Sequence, residues 1–231
     1  MNIQKNKSDF LITALDFSNY DEAIALVNIL SYNISFYKVG MELFYADGKA
    51  VINELYKKNK KIFLDLKLND IPNTLYKAVK VLSKYPISYL TLFTDIEGVQ
   101  AAVKAVKETG SDLKLLNVTK LTSAGSSNEN NTEILKEVLI RTEFTLKAQA
   151  DGIICSGKET KAIREKFGKN FIIINPGIRP AFSDSHDQKR VVTPKDAYLS
   201  GASHIVMGRP IHQAKEPVSV VNSIFNEIYI L

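Results

Sequence analysis

Short runs rich in Ile, Val, Leu and Phe recur along the chain at fairly even intervals. They are LITALDF (11–17), SFYKVG (35–40), KIFLDLK (61–67), SYLTLF (88–93), KLLNVTKL (114–121), GIICS (152–156), FIIINPG (171–177) and HIVMGRP (204–210). Continuous apolar runs of this length suit strands buried on both faces, as in a parallel sheet. Helical patterns fill the intervals. DEAIALVNIL (21–30) has Asn19 or Asp21 available as its N-cap, and a second pattern opens at Pro72, a residue tolerated in a first helical turn. GVQAAVKAVKE (98–108) is followed by Gly110 as a stop, and further patterns cover 131–148, 157–167 and 215–229. Eight strands, each followed by a helix or helical turn, predict an α/β fold: a single (β/α)8 TIM barrel domain over residues 1–231. An open doubly wound sheet is the alternative, but it rarely needs eight evenly spaced units.

Composition narrows the function classes. Of 231 residues, 45% are hydrophobic and 24% charged, ample for a full core. No apolar stretch approaches the ~20 residues that span a bilayer, so no membrane association is expected. The start, MNIQKNKSDF, has neither an apolar signal core nor a small-residue cleavage site. Cys155 is the one cysteine, which rules out an internal disulfide and fits a reduced, cytoplasmic setting. Thirty Lys plus Arg against 25 Asp plus Glu give +5 and a pI near 9.0. The lysines are spread out, and the densest run, KKNKK (57–61), reads as a solvated helix end. Nucleic-acid binding is therefore not expected, and attraction for a small anion explains the surplus.

Candidate chemistry appears where polarity interrupts the apolar runs. In a barrel, active sites are built at the C-terminal ends of the strands. There the chain places Asp16, Lys38, Asp65, Lys67 with Asp70 just beyond, Thr122, Gly177 and Arg179, and Gly208 and Arg209. These polar residues, scattered in sequence, gather at one mouth. Asp65 and Lys67 are two apart, so along a strand they point to the same side. The plain alternative is a salt-bridge cluster plugging the barrel end. GRP (208–210) favours chemistry: a glycine amide followed by Arg after the eighth strand suits a phosphate, and PGIR (176–179) faces the same corner. The long connections 123–131 and 178–190 read as lids or ligand clamps. His186, His204 and His212 lack metal-ligand spacing, no metal is implied, and Cys155 reads as packing.

With these motifs in place, the chain resembles the orotidine 5'-phosphate decarboxylase family almost end to end. The matching blocks are ALDF (14–17), YKVGMELF (37–44), DLKLNDIPNT (65–74), VTKLTS (118–123), DGIICS (151–156), PGIRP (176–180), DQKRVVTP (187–194) and GRPI (208–211). The resemblance implies cofactor-independent decarboxylation of orotidine 5'-phosphate to UMP and CO2, the last step of de novo pyrimidine nucleotide synthesis. It implies that Asp65, Lys67 and Asp70 form a catalytic array, with Lys67 as proton donor and Lys38 joining the network. Asp16 and Lys38 would contact the ribose end, and Thr122 would sit near the base. Arg179, Gln188, Gly208 and Arg209 would clasp the phosphate. It also implies a homodimer, with Asp70 and Thr74 contributed across the interface.

The chain departs from the family pattern at Phe93, where a His is usual, and keeps only Gly98 of a glycine pair. Ser203 and His204 replace a common acidic and aromatic pair. Either Ser123 or Ser126 is left to meet the pyrimidine amide. The nearest rival is a metal-dependent sugar-phosphate decarboxylase or synthase of the same barrel suprafamily, which shares D-x-K-x-x-D. A Schiff-base aldolase using Lys67 is a further alternative.

Overall fold

The structure is a computed structural model that describes residues 7–121, 130–180 and 192–229. Its centre is a closed barrel of parallel strands in chain order: β1 (Leu11–Leu15), β2 (Phe36–Gly40), β3 (Lys61–Leu68), β4 (Tyr89–Leu92), β5 (Lys114–Val118), β6 (Gly152–Ile154), β7 (Ile172–Asn175) and β8 (His204–Met207). β8 pairs back on β1, with Leu11 opposite Ile205, so no sheet edge is left open.

Alternation along each strand splits the core in two. Ile12, Ala14, Phe36, Phe63, Leu116, Val118, Ile154, Ile174 and Val206 meet one another inside the barrel. Their neighbours, among them Leu11, Leu15, Val39, Leu64, Leu90 and Ile205, face outward against the helices. Both faces are therefore apolar, which is why the strands read as unbroken runs rather than as alternating ones.

Helices fall in the predicted intervals, with caps that follow from local chemistry. Asn19 caps α2 (Tyr20–Ile29), its side chain accepting from Glu22 N at 3.0 Å. Pro72 opens α4 (Pro72–Leu82). Asp95 caps α5 (Ile96–Thr109), which starts earlier than the apolar pattern suggests and stops at Gly110 in the left-handed conformation, φ 63°. α6 (Asn131–Lys147), α7 (Gly157–Phe167) and α10 (Pro217–Tyr229) match their patterns.

Among the described residues, four helices are not marked by the apolar pattern. α1 (Lys7–Phe10), α8 (Pro194–Leu199) and α9 (Arg209–His212) are one or two turns long, too short to show a period. α3 (Met41–Lys57) is long, but two helical pieces join across Asp47 at φ −142°, which breaks its periodicity. The run at 57–61 is less solvated than it reads. Lys60 Nζ donates to the carbonyls of Ser31 and Ile34, and Lys61 begins β3. Burial and neighbouring Lys58 hold the Lys60 ammonium below its ordinary pKa.

Candidate active site

At the C-terminal mouth, three adjacent strands bring four charges into line. Asp16 follows the last residue of β1, Lys38 lies within β2, and Asp65 and Lys67 lie in β3. Lys38 Nζ is 2.9 Å from Asp16 Oδ1 and 3.9 Å from Asp65 Oδ2. Lys67 Nζ donates to both Asp65 oxygens at 2.9 Å. The order is carboxylate, ammonium, carboxylate, ammonium. The Lys38 and Asp65 side chains are only 13% and 14% exposed. Either one buried alone would cost several kcal/mol, so the alternation makes the cluster tolerable.

Simple alternation does not explain how Lys67 reaches this line. The ladder between β3 and β4 is regular at Leu64–Leu90 and resumes at Leu68–Leu92, so three residues of β3 face Thr91 alone. Within this bulge Lys67 adopts φ 48°, in the left-handed region that a side chain disfavours. Bulges beside functional sites re-aim side chains, and strain of this kind persists only where the surroundings hold it.

Gly208, just after β8, closes the array on its other side. A Cβ there would stand 2.8 Å from Asp16 Oδ2, and one on Gly40 would stand 3.0 Å from Lys38 Nζ. Glycine at both places lets two backbones approach the charged line. Arg209 opens α9 and is half-buried, and Arg179 is 5% exposed with its Nη1 donating to Ile178 O at 3.1 Å. His212 lies in the same corner, its ring edge on Phe17 with centroids 5.4 Å apart. Burial holds the imidazole below its usual pKa, with Arg209 acting in the same sense and Asp16 against it.

Asp70 and Thr74 do not join the line. Both are exposed beside Ile71, which is 66% exposed, and the Asp70 carboxylate accepts from Ile71 N at 2.7 Å. Thr122 and Gln188, with Ser123, Ser126 and His186, lie outside the described residues.

Other singled-out residues have structural partners. Cys155 is buried beside Asn175 and Thr160, and burial pushes its thiol up to about 12. His204 sits at the opposite end of the barrel, bonded to Tyr89 Oη at 3.0 Å and Asp9 O at 2.7 Å. Phe93 is covered by the Arg141 guanidinium, 5.2 Å from the ring centroid. Among the described residues, no group of three or more His, Cys, Asp or Glu is arranged to hold a metal. Nor is any described helix long and apolar enough to cross a membrane.

The sequence model described as "Orotidine 5'-phosphate decarboxylase / HUMPS family" matches residues 9–224. The chain is 44% identical over 214 residues to an orotidine 5'-phosphate decarboxylase of Fusobacterium nucleatum, covering 90% of each chain. It is 40% identical over 215 residues to one of Malacoplasma penetrans, covering 90% of this chain and 93% of that relative. A crystal structure of orotidine 5'-phosphate decarboxylase from Lactobacillus acidophilus matches with a TM-score of 0.80 at 35% identity, covering 96% of this chain and 99% of that one.

Proposed function

The chain belongs to the orotidine 5'-phosphate decarboxylase / HUMPS family, and from that premise we propose that it decarboxylates orotidine 5'-phosphate to UMP and CO2 without a cofactor. The observation that carries this reading is the alternating line of Asp16, Lys38, Asp65 and Lys67, in which one ammonium is clamped by both oxygens of Asp65. The site occupies the C-terminal mouth of one barrel domain.

Loss of CO2 from C6 of the pyrimidine leaves an electron pair in the ring plane, where no conjugated sink receives it. A fixed ammonium beside C6 offsets that charge as it develops and then delivers its proton to C6. Lys67 has this role, becoming a neutral amine that regains a proton from solvent. Asp65 orients Lys67 and sets negative charge beside the departing carboxylate. Lys38 and Asp16 hold the ribose end. Gly208 and Arg209, with Arg179 and Gln188, hold the phosphate, whose binding energy orders the site around the ring. Thr122 meets the base.

Asp70 stands apart from the line within its own chain, beside an exposed isoleucine. In a homodimer, Asp70 and Thr74 enter the site of the second copy, completing the catalytic array there. The enzyme then serves the last step of pyrimidine nucleotide synthesis in the cytoplasm.

The test is direct: purified protein is given orotidine 5'-phosphate while ultraviolet absorbance, UMP and CO2 are followed, with and without EDTA. Stoichiometric UMP and CO2, undiminished by EDTA, are expected. No turnover by folded protein overturns the reading. Loss of activity in EDTA and its return with magnesium would favour the metal-dependent rival.

A further inference from the structure

We propose that Thr91 is a positioning residue for Lys67, a role that rests on the decarboxylase reading above. Thr91 lies in β4 and is wholly buried. Its hydroxyl accepts from Lys67 N at 2.9 Å and donates to Asp65 Oδ1 at 2.9 Å. Lys67 Nζ donates to the same Oδ1. The three bonds form a ring that leaves the Lys67 backbone, passes through Thr91 and Asp65, and returns at the Lys67 ammonium.

A hydroxyl has one proton, so the direction of this ring is fixed. The amide can only donate and the carboxylate can only accept, so the Thr91 oxygen receives the first and gives its single proton to the second. The bulge creates the need for it. Where three residues of β3 face Thr91 alone, Lys67 N–H has no ladder acceptor, and the side chain supplies one. The left-handed backbone of Lys67 and the rotamer of Asp65 are thereby held by the same atom.

A threonine that only satisfied its own hydroxyl needs no more than a nearby carbonyl. Thr109 and Thr142 do this, donating to carbonyls of their own helices. Thr91 instead binds the backbone of the proposed proton donor and the carboxylate that holds its ammonium. Its loss leaves substrate contacts in place and frees the ammonium to drift by a fraction of an ångström to an ångström, a displacement that can cost about 10²-fold in rate.

Thr91→Val keeps the shape and removes both bonds. Turnover should fall about 10²-fold with KM and UMP affinity within about threefold of wild type, and Thr91→Ser should restore most of the rate. If Thr91→Val does not fold, Thr91→Cys, with its weak donor, is read against Thr91→Ser in the same way. Crystal structures of the variant and wild type report on position independently of turnover. Displacement of Lys67 Nζ from its bidentate place on Asp65 is expected. An undisplaced ammonium, a folded valine variant with wild-type turnover, or a parallel loss of turnover and UMP affinity each overturns the inference. Absence of decarboxylation by wild-type protein would instead overturn the underlying reading, and the structures would still decide what Thr91 holds.

Discussion

The two ends of the barrel carry the same kinds of charged residue in different settings. At the floor, where the strands begin, Asp9 of α1 takes Lys61 Nζ at 2.6 Å and Ser35 Oγ at 2.7 Å, while its carbonyl takes His204. Asp151 is paired with Lys114 and accepts from Leu115 N. Each of these ties joins segments distant in sequence and often ends on backbone. At the mouth, Asp16, Lys38, Asp65 and Lys67 bind chiefly one another, on neighbouring strands, with one backbone held in a disfavoured conformation. The floor uses charge to close the barrel. The mouth uses it to set two ammonium groups against two carboxylates, the arrangement that the proposed chemistry needs. Barrels commonly divide stability and chemistry between their ends in this way.

Substitutions separate the two ends. The largest effect is expected for Lys67→Ala, which removes the cation and the proposed proton donor together. Turnover should fall beyond the ~10²–10⁴-fold of acid–base catalysis alone, while thermal unfolding stays near wild type. A tenth of wild-type turnover would remove Lys67 from the chemistry. Arg209→Ala comes next. It should weaken UMP by about 10- to 100-fold, the scale of a lost charged hydrogen bond, and leave uridine binding unchanged. Equal losses for nucleotide and nucleoside would show that Arg209 does not touch phosphate.

A floor substitution should do the reverse. Asp9→Ala removes bonds to a lysine and a serine and should cost about 2 kcal/mol, or about 4–8 °C in melting temperature, with turnover within about threefold. A large loss of turnover with an unchanged melting temperature would erase the distinction between the ends.

The smallest effect is one of pH. Burial by itself would raise the Asp9 pKa, but Lys61 and Ser35 outweigh it and hold the carboxyl below its ordinary 3.8. A depressed carboxylate adds stability above its unfolded pKa and loses it as pH falls toward the folded value. Asp9→Asn should therefore flatten the loss of stability below about pH 4, as read from melting temperature across pH. An unchanged acid limb would show that Asp9 does not contribute to it.

Much of this contrast was legible in the sequence. Uninterrupted apolar runs marked the strands because both faces are buried, and the polar residues ending them marked the mouth. DLKLND placed Asp65 and Lys67 correctly side by side, but period-two alternation gave an incomplete reason. The bulge and the left-handed Lys67 depend on how β3 meets β4, which no local pattern encodes. Thr91 was illegible for the same cause: in SYLTLF it is one more strand-forming residue, and its role exists only opposite the bulge. The floor escaped notice because Asp9, Ser35, Lys61 and His204 come together only when the barrel closes.

In the proposed dimer, the charged line at the mouth becomes a complete site when a second copy supplies Asp70. Inactive Lys67→Ala and inactive Asp70→Ala proteins can be mixed, dissociated and reassociated, with hybrids counted by native mass spectrometry. In a hybrid dimer one site collects both lesions and the other neither. Random pairing makes about half the dimers hybrid, so activity should return to about a quarter of wild type. A site built within one chain keeps one lesion everywhere, and no recovery in a sample rich in hybrids would contradict the claim.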